Sequence, residues 1–257
     1  GMLLDNSCAR IVQCEFVNNR AAWAGAGVSI RGEGGAPWFI NCTFRDNGSE
    51  TTSAAFDVGV TPFGGGAAAV WSGAPTFVNC LFYNNKAWEG GVVLPVFGTP
   101  TFINCTIVNN QATIGYGGAF FDPDGRVTFR NCILRGNTTT KGVGLYDQGY
   151  SGSLGTTTIN YSDVQGGWTG TANIDADPLF QNPAGHDYKL QSTSPCKNTG
   201  ENAALPPDVG NLDWDLDTDE IIPLDLARSG RNVGTSVDMG AYEVYEIPPP
   251  PPPQEPE

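Results

Sequence analysis

Helical pattern is the first thing this chain lacks. No stretch carries apolar residues at sustained helical spacing between capping residues. Basic residues are scarce: 13 lysines and arginines stand against 27 aspartates and glutamates, a net charge of −14. Phosphate binding needs a basic face, so nucleic acid is not expected as a partner. The single histidine, His186, lies beside Asp187 and reads as a surface turn residue. Neither a membrane span nor a signal peptide is visible. The close cysteine pairs that zinc requires are missing. What remains is an acidic, Asn-, Thr- and Gly-rich composition, which suits a solvated extracellular surface.

One phrase recurs through this polar background. It reads Phe39-Ile40-Asn41-Cys42-Thr43-Phe44, Phe77-Val78-Asn79-Cys80-Leu81-Phe82, Phe102-Ile103-Asn104-Cys105-Thr106-Ile107 and Phe129-Arg130-Asn131-Cys132-Ile133-Leu134. A looser copy runs from Ile11 to Phe16, and a decayed one is Thr158-Ile159-Asn160-Tyr161, with Tyr161 in place of the cysteine. The cysteine intervals are 28, 38, 25 and 27 residues, and an insertion over Gly48 to Phe63 accounts for the longest. Each unit holds short runs of Phe, Ile, Val and Thr broken by Gly, Pro and Asn-Asn. Such a unit cannot bury its own apolar side, so copies must stack as β-coils. Phe and Cys are three residues apart, Cys and the next apolar residue two, so a bend falls near the Asn. The expectation is a column of stacked asparagines at Asn41, Asn79, Asn104, Asn131 and Asn160, beside buried columns of Phe and of Cys, the cysteines packing as free thiols or else bridging neighbouring rungs. Cys8 and Cys196 stand off that column. A second motif follows each first one, as in Gly90-Gly91-Val92-Val93 and Gly117-Gly118-Ala119-Phe120. Its glycines suit tight corners and close approach between rungs.

This pair of motifs resembles the repeats of right-handed parallel β-helix proteins, among them the polymorphic outer-membrane adhesins of chlamydiae. The segments Asp175-Ala176-Asp177-Pro178-Leu179-Phe180 and Val237-Asp238-Met239-Gly240-Ala241-Tyr242-Glu243 look like the closing segment of large bacterial surface β-helix proteins. The resemblance implies an all-β solenoid of about six coils. The expected layout is coils over residues 1–172, a closing segment over 173–247 packed on the helix end, and a Pro-rich linker over 248–257. Gly1 to Asp5 fits a slot inside a coil, so further coils or a cap are expected upstream and further domains on both sides. The implied location is extracellular or on a bacterial cell surface.

The fold hosts lyases, hydrolases and adhesins alike, so activity has to be argued from sites. Pectate lyase and polygalacturonase fingerprints, including Arg-Pro-x-x-Arg and Gly-His-Gly, are absent. The best acidic pair is Asp122 and Asp124, followed by Arg126, which reads either as a catalytic group or as a plain Pro-Asp-Gly turn. Trp23, Trp71, Trp88 and Tyr116 offer a sugar-stacking face, or else pack under loops. Asp213, Asp215, Asp217 and Asp219 alternate as loop ligands of Ca²⁺ do, or form a solvated acidic loop. The favoured expectation is a non-catalytic scaffold that contacts a polysaccharide or cell-surface glycan. The alternative is a lyase or hydrolase acting on an acidic polysaccharide.

Overall fold

The computed structural model describes residues 1–49, 64–140, 149–151, 157–231 and 233–245. Most of the expected insertion, residues 50–63, and the proline run lie outside them. The chain winds through four parallel sheets in a fixed order, about five full turns deep. Sheet A joins Met2–Asp5, Val28–Arg31, Ala68–Val70, Val93–Pro95, Phe120–Asp122 and Gly149–Ser151. Sheet B joins Arg10–Val12, Trp38–Ile40, Thr76–Val78, Thr101–Ile103, Thr128–Arg130 and Thr158–Asn160. Sheet C joins Glu15–Val17, Thr43–Arg45, Leu81–Tyr83, Thr106–Val108, Ile133–Arg135 and Asp163–Val164. Sheet D is narrower, with Arg20–Ala21, Gly48–Ser49, Lys86–Ala87, Gln111–Ala112 and Thr138–Thr139.

Each coil has four junctions between sheets, and at three of them stands a column of left-handed residues. Between sheets B and C stand Asn41, Asn79, Asn104 and Asn131, with φ of 51°, 50°, 49° and 54°. Between C and D stand Asn18, Asp46, Asn84, Asn109 and Gly136. Between D and A stand Gly25, Gly65, Gly90 and Gly117, with φ from 57° to 73°. Asn, Asp and Gly tolerate this region at least cost, which is why the motifs repeat there.

Two columns of phenylalanine fill the interior. Phe39, Phe77, Phe102 and Phe129 stack with ring centroids 4.8, 4.8 and 4.9 Å apart. Phe16, Phe44 and Phe82 stack at 4.5 and 4.8 Å, edge-on to the first column. Cys42, Cys80, Cys105 and Cys132 are buried beside them as free thiols, each donating to the carbonyl two residues earlier at 3.2–3.3 Å. Gly149 is needed where it is, because a Cβ there would lie 2.0 Å from the Phe120 ring.

Two sequence expectations need correction. The decayed copy is shifted by one residue: Tyr161 takes the corner at φ 50°, and Ser162 replaces the cysteine. Ile159 pairs with Phe129 and is buried. Aligning Asn160 with Asn131 would instead have put Thr158 into the core, so apolar burial sets the register. The continuous asparagine ladder is also elsewhere. It runs through the second residue of each Asn-Asn pair. Asn19, Asn47, Asn85 and Asn110 each donate from Nδ2 to the next rung's Oδ1, ending on Asn137, at 2.9 Å in every step. The expected column makes only two such bonds, Asn79 to Asn41 and Asn131 to Asn104.

Those outer asparagines hold the closing segment instead. Nδ2 of Asn41, Asn79, Asn104 and Asn131 donates to the carbonyls of Asp225, Leu224, Asp238 and Glu201, at 2.7–3.1 Å. Apolar contacts follow the same line. Leu205, Leu212, Ile222 and Val237 cover Ile40 and Val78, and Met239 and Val244 cover Ile133. The segment therefore runs along the flank of sheets B and C. The part on the solenoid's end is shorter: Trp168 meets Phe120 edge-on, and Ile174 bridges Asp163.

Candidate functional site

With one flank covered and the middle strands of sheet A, Ala68–Val70 and Val93–Pro95, buried on both faces, sheet D carries the open groove. A groove of about 640 Å³ lies along sheet D and the adjoining corner. Register places Arg20, Gly48, Lys86, Gln111 and Thr138 in one column, one per rung. Asp46, Asn84 and Asn109 form the parallel corner column. Strand spacing fixes the step between rungs at about 4.8 Å. Gly136 admits the Asn109 side chain, whose Oδ1 would lie 2.3 Å from a Cβ there, and the Arg20 side chain lies over Gly48.

The chemistry of the groove is that of hydrogen bonding. Asp46 is the sole carboxylate among its described lining residues. It is engaged by the Arg45 guanidinium at 3.1 Å and by Asn84 Nδ2 at 3.4 Å. The Arg20 guanidinium donates to the carbonyls of Asn19 and Asp46. Asn109 Nδ2 donates to the Tyr188 hydroxyl at 3.2 Å, which ties one rim to the closing segment. Lys86 and Thr138 are exposed. Acid–base hydrolysis of a glycosidic bond uses two facing carboxyl groups, and the described lining residues of this groove include one, Asp46, already paired.

The aromatic candidates divide. Trp23 and Trp88 follow Arg20 and Lys86 by two to three residues, at the far edge of sheet D. Tyr116 lies one rung on, its carbonyl accepting from Gly90 N–H. Trp23 and Tyr116 are exposed, and Trp88 is half-buried. Trp71 stands apart, beyond the far end of sheet A, where its Nε1 donates to Ser29 Oγ.

Asp122 and Asp124 do not converge on a site. Asp122 is buried: Oδ1 accepts from Arg126 N–H, and Oδ2 from Val127 N–H and the Thr157 hydroxyl. Asp124 pairs with the Arg126 guanidinium at 2.9 Å, and that guanidinium also covers the Phe97 ring. The arrangement builds a turn. Nor do the four alternating acids share a centre. Asp213, Asp215 and Asp217 each accept the N–H two residues further on.

A second cavity, of about 620 Å³, lies within the closing segment beside Asp225 and Glu243. Its carboxylates are committed to structure. Asp225 accepts from Ser229 and Glu243 N–H, and Glu243 from Val233 and Asp238 N–H. Fully buried Arg231 lies 3.8 Å from Glu243 and donates to the carbonyls of Asp238 and Gly240. Burial is the main influence on Glu243 and pushes its carboxyl up to about 8, against the opposing pull of Arg231. His186 caps a short 3-10 turn at φ 61° and stacks on Tyr83. The sequence reading missed both the Arg231 cluster and the sheet D groove. Only the spacing of Arg20, Lys86, Gln111 and Thr138 within their repeats signals the groove.

Stacked rungs with three left-handed corners define the molecule as a parallel β-solenoid. The chain belongs to the right-handed β-helix family: the family model described as a right-handed beta helix region matches residues 1–166. No curated protein and no solved structure matches it. Among the described residues no helix is long and apolar enough to cross a membrane.

Proposed function

We propose that the chain is a non-catalytic, adhesin-like scaffold that holds an extended extracellular polysaccharide along sheet D. The observation that carries this reading is the groove itself. Its amide, hydroxyl and cationic groups repeat at rung spacing, and Trp23 and Trp88 follow two of the sheet D strands that line it. Polar groups of this kind hydrogen-bond hydroxyls, and aromatic faces pack against sugar rings. Arg20 and Lys86 place positive charge in the groove of an acidic protein, which favours an acidic glycan. The lone, paired Asp46 supports binding over cleavage.

The test is retention of the chain on a panel of immobilised acidic and neutral polysaccharides, with the products assayed in parallel. The double variant Lys86→Ala/Gln111→Ala is expected to lose about tenfold in affinity with the melting temperature unchanged, since both groups lie on the surface. New reducing ends or unsaturated products would overturn the non-catalytic assignment. Unchanged retention of the double variant would remove the groove.

A further inference from the structure

The loop from Asp208 to Glu220 has a fixed neck. Pro207 pairs antiparallel with Ile221, and Asp208 N–H donates to the Glu220 carbonyl at 2.8 Å. Leu212 and Ile222 anchor the two arms on Ile40 and Val78 of the solenoid. At this neck Asp208, Asp213 and Glu220 each bring a carboxylate oxygen within 4.8 Å of the others.

An acidic cluster alone says little, but this one leaves buried oxygens without partners. Asp208 is wholly buried. Its Oδ2 accepts from Leu212 N–H at 2.6 Å, while Oδ1 is buried and accepts nothing. Oε1 of Glu220 is likewise buried and without a partner. A buried carboxylate oxygen is costly unless something positive or a donor faces it. A cation between the three would remove both penalties at once.

We propose that Asp208, Asp213 and Glu220 form a calcium site. The donors are hard oxygens only, which selects against zinc and copper. Calcium also accepts the irregular geometry of a loop and completes its shell with water and carbonyls, where magnesium demands a near-ideal octahedron. The three residues are not the alternating set that the sequence suggests. Of the alternating acids only Asp213 brings a carboxylate oxygen within 4.8 Å of both Asp208 and Glu220. In this arrangement the ion clamps the loop neck, and with it the closing segment, onto the solenoid.

Calcium chloride titrated into the chelator-stripped full chain tests the site, by calorimetry and by melting. One equivalent is expected to bind and raise the melting temperature. The affinity should be higher at pH 8 than at pH 5, because protons compete for the ligands. Asp213→Asn, at an exposed position that does not threaten folding, is expected to weaken binding about tenfold or more. Asp217→Asn is expected to leave it within about twofold. Absence of both heat and stabilisation at millimolar calcium would overturn the site. So would Asp217→Asn weakening binding as much as Asp213→Asn, because the ion would then lie among the alternating acids.

Discussion

The solenoid and the closing segment are held by opposite means. In the coils the core and ladder interactions come in series. Phe77 sits between Phe39 and Phe102, and Asn85 between Asn47 and Asn110. The closing segment has no period. Apolar contacts along sheets B and C and unrepeated polar groups hold it: Arg231, Asp225, Asp238 and Glu243 inside, and the outer asparagines beneath. Repetition spreads the cost of one poor contact over many rungs. A single-use network concentrates that cost in one place. The coils should therefore lose stability in proportion to what is removed from the stack, whereas the closing segment should loosen as a unit.

The largest expected effect is on the stack. Phe77→Ala removes a ring that packs on two neighbours and is expected to cost about 3–5 kcal/mol in denaturant unfolding. A cost below 1 kcal/mol would mean that the coils close over the gap.

The two asparagine columns sharpen the contrast. Asn85→Ala strips Asn47 of the acceptor for both its N–H groups and is expected to cost about 2–3 kcal/mol. Asn79→Gly keeps the left-handed corner open, removes an Oδ1 that has no partner, and loses the bonds to Leu224 and Asn41. Its expected cost is about 1 kcal/mol. Equal costs would erase the distinction between ladder and dock.

The two regions also differ in pH dependence. Burial pushes Asp163 up to about 6 and Glu243 up to about 8. A carboxyl whose folded value lies above its unfolded value favours folding while protonated. That contribution is complete below about pH 4 and is lost as pH rises through 6 for Asp163 and 8 for Glu243. The melting temperature of the chelated chain is expected to fall by roughly 5 °C between pH 5 and 8. Glu243→Gln should flatten the upper part of that slope. A rise over the same range would reverse the account of the buried acids.

The same contrast decides what the sequence made legible. Phenylalanine, cysteine and corner glycine recur as residue types, so coils, bends and core are readable from spacing. The ladder is hidden because Asn84-Asn85 reads as an ordinary turn, and only stacking shows that its second residue is buried. Tyr161 is misread because matching asparagines outweighed the need to bury Ile159. The groove column runs Arg20, Gly48, Lys86, Gln111, Thr138, which share position but not chemistry. In the closing segment, Asp208 and Glu220 meet only because Pro207 pairs with Ile221. An alternation such as Asp213-Trp214-Asp215 is conspicuous in one dimension and diverges in three.

Amide hydrogen exchange tests the central contrast most directly. At neutral pH, with Arg231→Met compared against the unaltered chain, the account predicts that peptides from residues 198–231 and 233–244 exchange sooner and together. Peptides around the Asn85 and Asn110 rungs should keep their protection. Equal acceleration in both regions would show one cooperative unit and contradict the division drawn between them.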